Sequence, residues 1–196
     1  MWRGVFLYAS TFWKDICGVA FKHIHYTAED IAAGKYEAWD LIRPMWLVYD
    51  IYKDRARYEE TAARFTPAQR RAHAWVYYNN EVFNGGHQQF LINSTGLIWQ
   101  EALDCMEMVG AVKSANNLRK IVTAFGGSIP FDRQERIDAF EKIWDADCSF
   151  AKLISKCDDE YYGTDVADEI LEMLTQYMRS HPQEFVLEGD FEFFDD

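Results

Sequence analysis

Asp165, Asp168, Glu169 and Glu172 stand at positions i, i+3, i+4 and i+7. On a helix they share one face, with neighbours about 5–6 Å apart, comparable to successive phosphates along a DNA strand. The chemistry such a row offers is attraction of cationic groups, not bond making. Carboxylates crowd around it. Residues 157–196 carry 13 of them against one basic side chain, Arg179. They are Asp158, Asp159, Glu160, Asp165, Asp168, Glu169, Glu172, Glu184, Glu188, Asp190, Glu192, Asp195 and Asp196. The net charge of the whole chain is −12, while residues 1–98 hold 11 basic and 10 acidic groups. The imbalance is therefore local, and all 13 are candidate contacts to a basic partner. An isolated acidic helix face is ordinarily just solvated, but this concentration favours a function. Duplex DNA presents one charge per roughly 1.7 Å of axis, so one helix face needs the 158–160 cluster and the tail to approach that density. Like charges held together destabilise a compact chain, and the scaffold must offset the repulsion.

Other chemistries fare less well. Glu81, Asn84, His87 and Gln88 flank Gly85-Gly86, and a histidine near a carboxylate is general acid–base material. No recognisable nucleophile or metal triad accompanies them. The glycines read instead as a tight helix–helix corner, with amides satisfying its backbone groups. No catalytic residue, cofactor or metal is assigned. Asp158 to Glu169 has the length of a calcium loop, with Gly163 sixth and Glu169 last. Its fifth residue is Tyr162 and its usually apolar eighth is Asp165, which rejects a specific site. Cys17, Cys105, Cys148 and Cys157 form no C-x-x-C pair and read as reduced, mostly buried cytosolic thiols. His23 and His25 are two apart, the wrong spacing for one helix face, and read as surface or satisfied residues. A second acidic row, Asp138, Glu141, Asp145 and Asp147, lies among Arg133, Arg136 and Lys142 and reads as an ion-paired surface. Glu101, Asp104 and Glu107 are weaker candidates to extend the acidic surface.

Helices must position these groups. Thr66-Pro67-Ala68-Gln69 is a capping box with Pro at the first helical position, opening a helix to about Phe83. Asp132-Arg133-Gln134-Glu135 opens another, with Ile137, Phe140, Ile143 and Trp144 at helical spacing. Leu97 to Val109 and Ser114 to Phe125 are each closed by glycine. Thr164 is expected to cap a helix near 165–180, with Val166, Ile170, Met173, Leu174 and Tyr177 as its core stripe and Pro182 as its stop. Tyr36 to Asp54 is helix-like with a break at Pro44, and shorter helices are expected near 55–63 and within the first 33 residues. The apolar run Gly4 to Trp13 reads as part of one, since no small-x-small cleavage site follows. No convincing apolar/polar alternation argues for a sheet, although Glu184 to Asp196 has room for a short extended segment, pinned by Phe185, Phe191, Phe193 and Phe194. No stretch approaches the roughly 18 apolar residues needed to span a bilayer.

The expectation is an all-α cytoplasmic protein: one multi-helix domain over residues 1–196, with about eight to ten helices and an acidic C-terminal segment. Its 7 Trp, 11 Tyr and 14 Phe supply a large buried area and leave surplus for a subunit interface.

The segment Asn79 to Gly96, with Glu81, Asn84-Gly85-Gly86, Gln89-Phe90, Asn93 and Gly96, resembles the E-x-x-N-G-G-x-x-Q-F-x-x-N-x-x-G block of the bacterial DNA-mimic-protein-like family. The resemblance extends through Arg133, Arg136, Asp158 to Tyr162 and His181 to Phe185, covering about residues 60–186. Many members carry Phe where this chain has His87. The resemblance implies a non-enzymatic, acidic homodimer. Its expected partner is the DNA-binding face of a helix-turn-helix repressor or a histone-like nucleoid protein, with no direct contact to nucleic acid or membrane. Sedimentation at tens of micromolar is expected to show a dimer; monomers alone would count against it.

Overall fold

The computed structural model describes residues 19–146, 148–162 and 165–194, with the side chains of residues 19, 20, 193 and 194 left aside. In chain order these form β1 (Val19–Tyr26), α1 (Ala28–Ala32), α2 (Ala38–Ile42), α3 (Arg55–Ala62), α4 (Pro67–Ile92), α5 (Trp99–Met108), α6 (Val112–Ala124), α7 (Arg133–Ala146), α8 (Cys148–Tyr162), α9 (Val166–Ser180) and β2 (Leu187–Phe194). Short 3₁₀ turns lie at Arg43–Met45, Ser94–Ile98 and Pro182–Glu184. The mostly helical fold agrees with the sequence, with a small sheet added.

Thr66 opens α4 as its sequence predicts. Its hydroxyl accepts from the Gln69 amide at 3.1 Å, and the Gln69 side chain accepts from the Thr66 amide at 2.9 Å. Together they satisfy two of the donors that a helix start leaves unpaired. The helix runs past Phe83 to Ile92, but Gly85 and Gly86 have non-helical dihedrals. It is the central element, packing against α5, α7 and α8 through buried Ala72, Trp75, Tyr78, Val82 and Phe90.

Four expectations change. Only Ala38–Ile42 and the Arg43–Met45 turn of the 36–54 segment are helical, because Pro44 lacks the amide needed to carry the helix on. Helix α8 was not anticipated, although Phe150, Ile154, Cys157 and Tyr161 are its buried side. Met173 is an exposed residue of α9, and Met178 is buried in the stripe with Ile170 and Leu174. The tail is a strand, β2, paired antiparallel to β1 with Ile24 opposite Gly189. Its alternation is clear: Leu187 and Phe191 are buried while Glu188 and Asp190 face outward. Phe191 lies under the Arg64 guanidinium at 4.5 Å. Phe185 is buried as well, so two of the tail aromatics do pin it. The Gly4 to Trp13 run, Cys17, Thr164, Asp147, Asp195 and Asp196 lie outside the described residues. Among the described residues no helix is long and apolar enough to cross a membrane.

His73 is fully buried on α4. The rings of Tyr49, Tyr77 and Trp46 surround it at 4.2, 4.8 and 5.6 Å, and neither ring nitrogen has a hydrogen-bond partner among the described residues. Burial alone pushes its pKa down to about 3, since a charged imidazolium would lose its hydration there. The unfolded chain binds a proton below about pH 6.5 that the folded chain refuses. His73 therefore weakens folding as pH falls from about 6.5 towards 3, by roughly 1 kcal/mol per pH unit. In urea denaturation, His73→Phe is expected to lose less stability than the parent between about pH 7.5 and pH 5. Equal losses would contradict this account.

Candidate functional site

The Glu81–His87 block that offered acid–base chemistry is a closed internal structure. The His87 ring is fully buried. Its backbone amide donates to Asp158 Oδ1 at 2.8 Å, and its Nδ1 lies 2.6 Å from the same oxygen. A carboxylate can only accept, so Nδ1 carries the proton and Nε2, 2.7 Å from the Tyr78 hydroxyl, is free to accept from it. Glu81 is equally committed: Gln89 Nε2 and Asn93 Nδ2 donate to one oxygen at 2.7 and 2.9 Å, and Thr95 Oγ1 to the other at 2.9 Å. Asn84 and Gln88, the amides expected to serve the corner's backbone groups, are exposed, and it is Gln89 and Asn93 that serve the carboxylate.

The glycines explain why α4 breaks here. Gly86 has φ 76° and ψ −179°, a region essentially confined to glycine. A Cβ on it would stand 2.6 Å from Asp158 Oδ2. Gly96 is held just as tightly by the Arg136 guanidinium, 2.6 Å from where its Cβ would be. Arg136, expected on an ion-paired surface, is completely buried. Its Nε donates to the Leu91 carbonyl at 2.6 Å, and its terminal nitrogens donate to those of Asn93, Phe131 and Pro130 at 2.7, 2.9 and 3.0 Å. Desolvation lowers its pKa to about 10, which still leaves it charged at neutral pH.

The 13 acidic candidates fall into distinct settings. Asp158 points inward to His87 and is a structural acceptor, which also removes the first ligand of the rejected calcium loop. Glu160 lies near Lys120 and Lys156 at 3.6 and 3.8 Å. The Tyr177 hydroxyl donates to Glu184 at 3.2 Å. On the outer face of the sheet, Asp190 and Glu188 stand 2.8 and 3.7 Å from His23 and His25. The two-residue spacing that fails on a helix places both histidines on one side of a strand. Glu192 shares that face, opposite Phe21.

Asp159, Asp165, Asp168, Glu169 and Glu172 remain. All five are exposed, and none forms an ion pair among the described residues. The last four lie along the start of α9, where Asp165 takes the capping position without a side-chain cap bond. Asp168 and Glu169 sit in the first turn, where the partial positive charge of the helix N-terminus offsets part of their repulsion. The α7 row also differs from expectation. Arg133 donates to the Ile92 carbonyl and Arg136 is interior, so Asp138, Glu141 and Asp145 have no ion pair among the described residues. Glu101 instead binds Arg70 at 2.6 Å and accepts from the Tyr58 hydroxyl at 2.6 Å. Asp104 and Glu107 pair with Arg71 and Arg119.

A family model described as DMP19-like protein matches residues 63–181, more than half of the chain. The chain belongs to the DMP19-like protein family. The matched span takes in the α4 break, Arg136, Asp158 and the acidic face of α9, and agrees with the 60–186 region expected from the sequence. Membership of the DMP19-like family suggests a DNA-mimic role, which is non-enzymatic and implies binding to a DNA-binding protein. No curated protein and no solved structure gives a significant match.

Sequence reasoning missed the roles of Arg136 and Asp158, because a charged residue directed inward reads like one directed outward. The resemblance held the one available signal, since both lie in the family-like span. Asp158→Ala, which strands the His87 amide and ring, is expected to destabilise the fold by about 3 kcal/mol. Asp159→Asn is expected to change stability by no more than about 0.5 kcal/mol. Urea denaturation checks both, and equal effects would refute the assignment.

Proposed function

We propose that this chain is a DNA mimic. It presents folded carboxylates to the DNA-binding surface of a cytoplasmic regulator, such as a helix-turn-helix repressor or a histone-like nucleoid protein, and so blocks DNA binding. One observation carries the reading: the outer face of α9 holds Asp165, Asp168, Glu169 and Glu172 exposed and without ion pairs among the described residues. Four charges along about 10 Å of helix axis give about one per 3 Å, close to the roughly 3.4 Å per phosphate of a single DNA strand. Asp159, Glu188, Asp190 and Glu192 are further exposed or outward-facing carboxylates available to the same partner, while Asp158, Glu160 and Glu184 serve the scaffold first.

Affinity for such a partner comes from charge complementarity, which favours fast association and salt sensitivity. A homodimer would offer the acidic surface twice, as suits a repressor dimer that reads half-sites about 34–36 Å apart. Free Cys105, Cys148 and Cys157 are in keeping with a reducing cytoplasm.

Gel-shift competition tests the reading. The parent chain is expected to displace DNA from a basic regulator. The triple variant Asp168→Asn, Glu169→Gln, Glu172→Gln is expected to do so at least about tenfold less well with its stability intact. Raising salt until the Debye length shortens from about 8 to 3 Å should dissolve the complex. Failure to displace DNA from either class of partner, or a complex indifferent to salt, would overturn the proposal.

A further inference from the structure

Phe83 and Tyr162 are large apolar side chains left standing at the surface, 46% and 43% exposed. They meet at the α4 break. The two rings lie edge to face with centroids 5.7 Å apart, and Phe83 also leans on the buried Tyr161 at 5.4 Å. Neither ring is loosely hung. The Tyr162 hydroxyl is fastened to the Val82 carbonyl, and the Tyr161 hydroxyl donates to Asn79 Oδ1 at 2.8 Å. Asn84 and Gly85, next along the chain, are exposed as well. Asp159 stands one helical turn before Tyr162, exposed and without an ion pair among the described residues. Lys120 of α6 and Lys156 of α8 are engaged by Glu160.

A rigid aromatic pair beside an unpaired carboxylate suits one kind of occupant. A planar guanidinium stacks on a ring face, is weakly hydrated, and donates in its own plane to a carboxylate. An ammonium is more strongly hydrated and gains less from the rings. We propose that Phe83 and Tyr162, with Asp159, form an arginine-selective subsite for the basic partner, setting which cation is recognised where the α9 row supplies only attraction. This rests on the DNA-mimic reading and adds selectivity to it.

The test uses the full chain with two probes, a short oligoarginine peptide and an oligolysine peptide of equal length, titrated by calorimetry at low salt. The parent chain is expected to bind the arginine peptide more tightly. Phe83→Ala, a change at an exposed ring, should weaken arginine binding about two- to tenfold while moving lysine binding less than about twofold. Tyr162→Phe, which keeps the ring, should retain the arginine preference. An unchanged arginine-to-lysine ratio in Phe83→Ala, with both peptides still bound, overturns the subsite and leaves the mimic reading standing. No binding of either peptide overturns both. If Phe83→Ala instead shifts sedimentation to a smaller species with the preference intact, the rings belong to an interface between copies and the subsite is refuted.

Discussion

At the α4 break a carboxylate, Asp158, does what a backbone carbonyl does elsewhere in a helix. Gly85 and Gly86 interrupt the ladder, and the groups on either side must find other partners or remain unsatisfied inside the protein. Asp158 reaches across from α8 to take the His87 amide and ring. Glu81 gathers the side chains of Gln89, Asn93 and Thr95, and Arg136 takes the carbonyls of Leu91 and Asn93 at the end of the helix. These charge-assisted bonds are among the stronger ones available to a protein. They tie α4, α7 and α8 into one frame, while α9 packs on Ala28–Ala32 and Ala38–Ile42.

On that frame, negative charge is sorted by partner. Glu101, Asp104 and Glu107 meet arginines, and Glu160 meets lysines. Glu188 and Asp190 meet histidines. The start of α9 and the outer side of α7 meet no cation among the described residues. Negative charge is thus paired on α5, on α8 and on the sheet, and left uncompensated at the start of α9 and along α7 among the described residues. The same sorting separates Asp158 from Asp159, adjacent in sequence and opposite in use.

Helix starts were legible because capping is local: Thr66 and Asp132 signal their helices within four residues. The α9 row was legible because four carboxylates at helical spacing face away from Ile170 and Leu174 whatever the remainder of the chain does. Helix α8 was also within reach, since Phe150, Ile154, Cys157 and Tyr161 repeat at the helical period, but its polar residues drew attention to charge instead. The sheet was not, because β1 and β2 lie at opposite ends of the sequence and β1 mixes exposed Phe21 with buried Ile24. Arg136 and Asp158 lay beyond local reading for a similar reason: their partners stand some 40 and 71 positions away.

The sheet also bears on the order in which the protein comes together. Its strands pair Tyr26 with Leu187 at the near end, so joining them closes a loop of most of the chain, and the entropy lost grows with the length enclosed. Local helices can assemble long before that closure becomes favourable. Glu188, Asp190 and Glu192 are therefore among the last side chains to reach their final places, after the helices between the two strands have assembled.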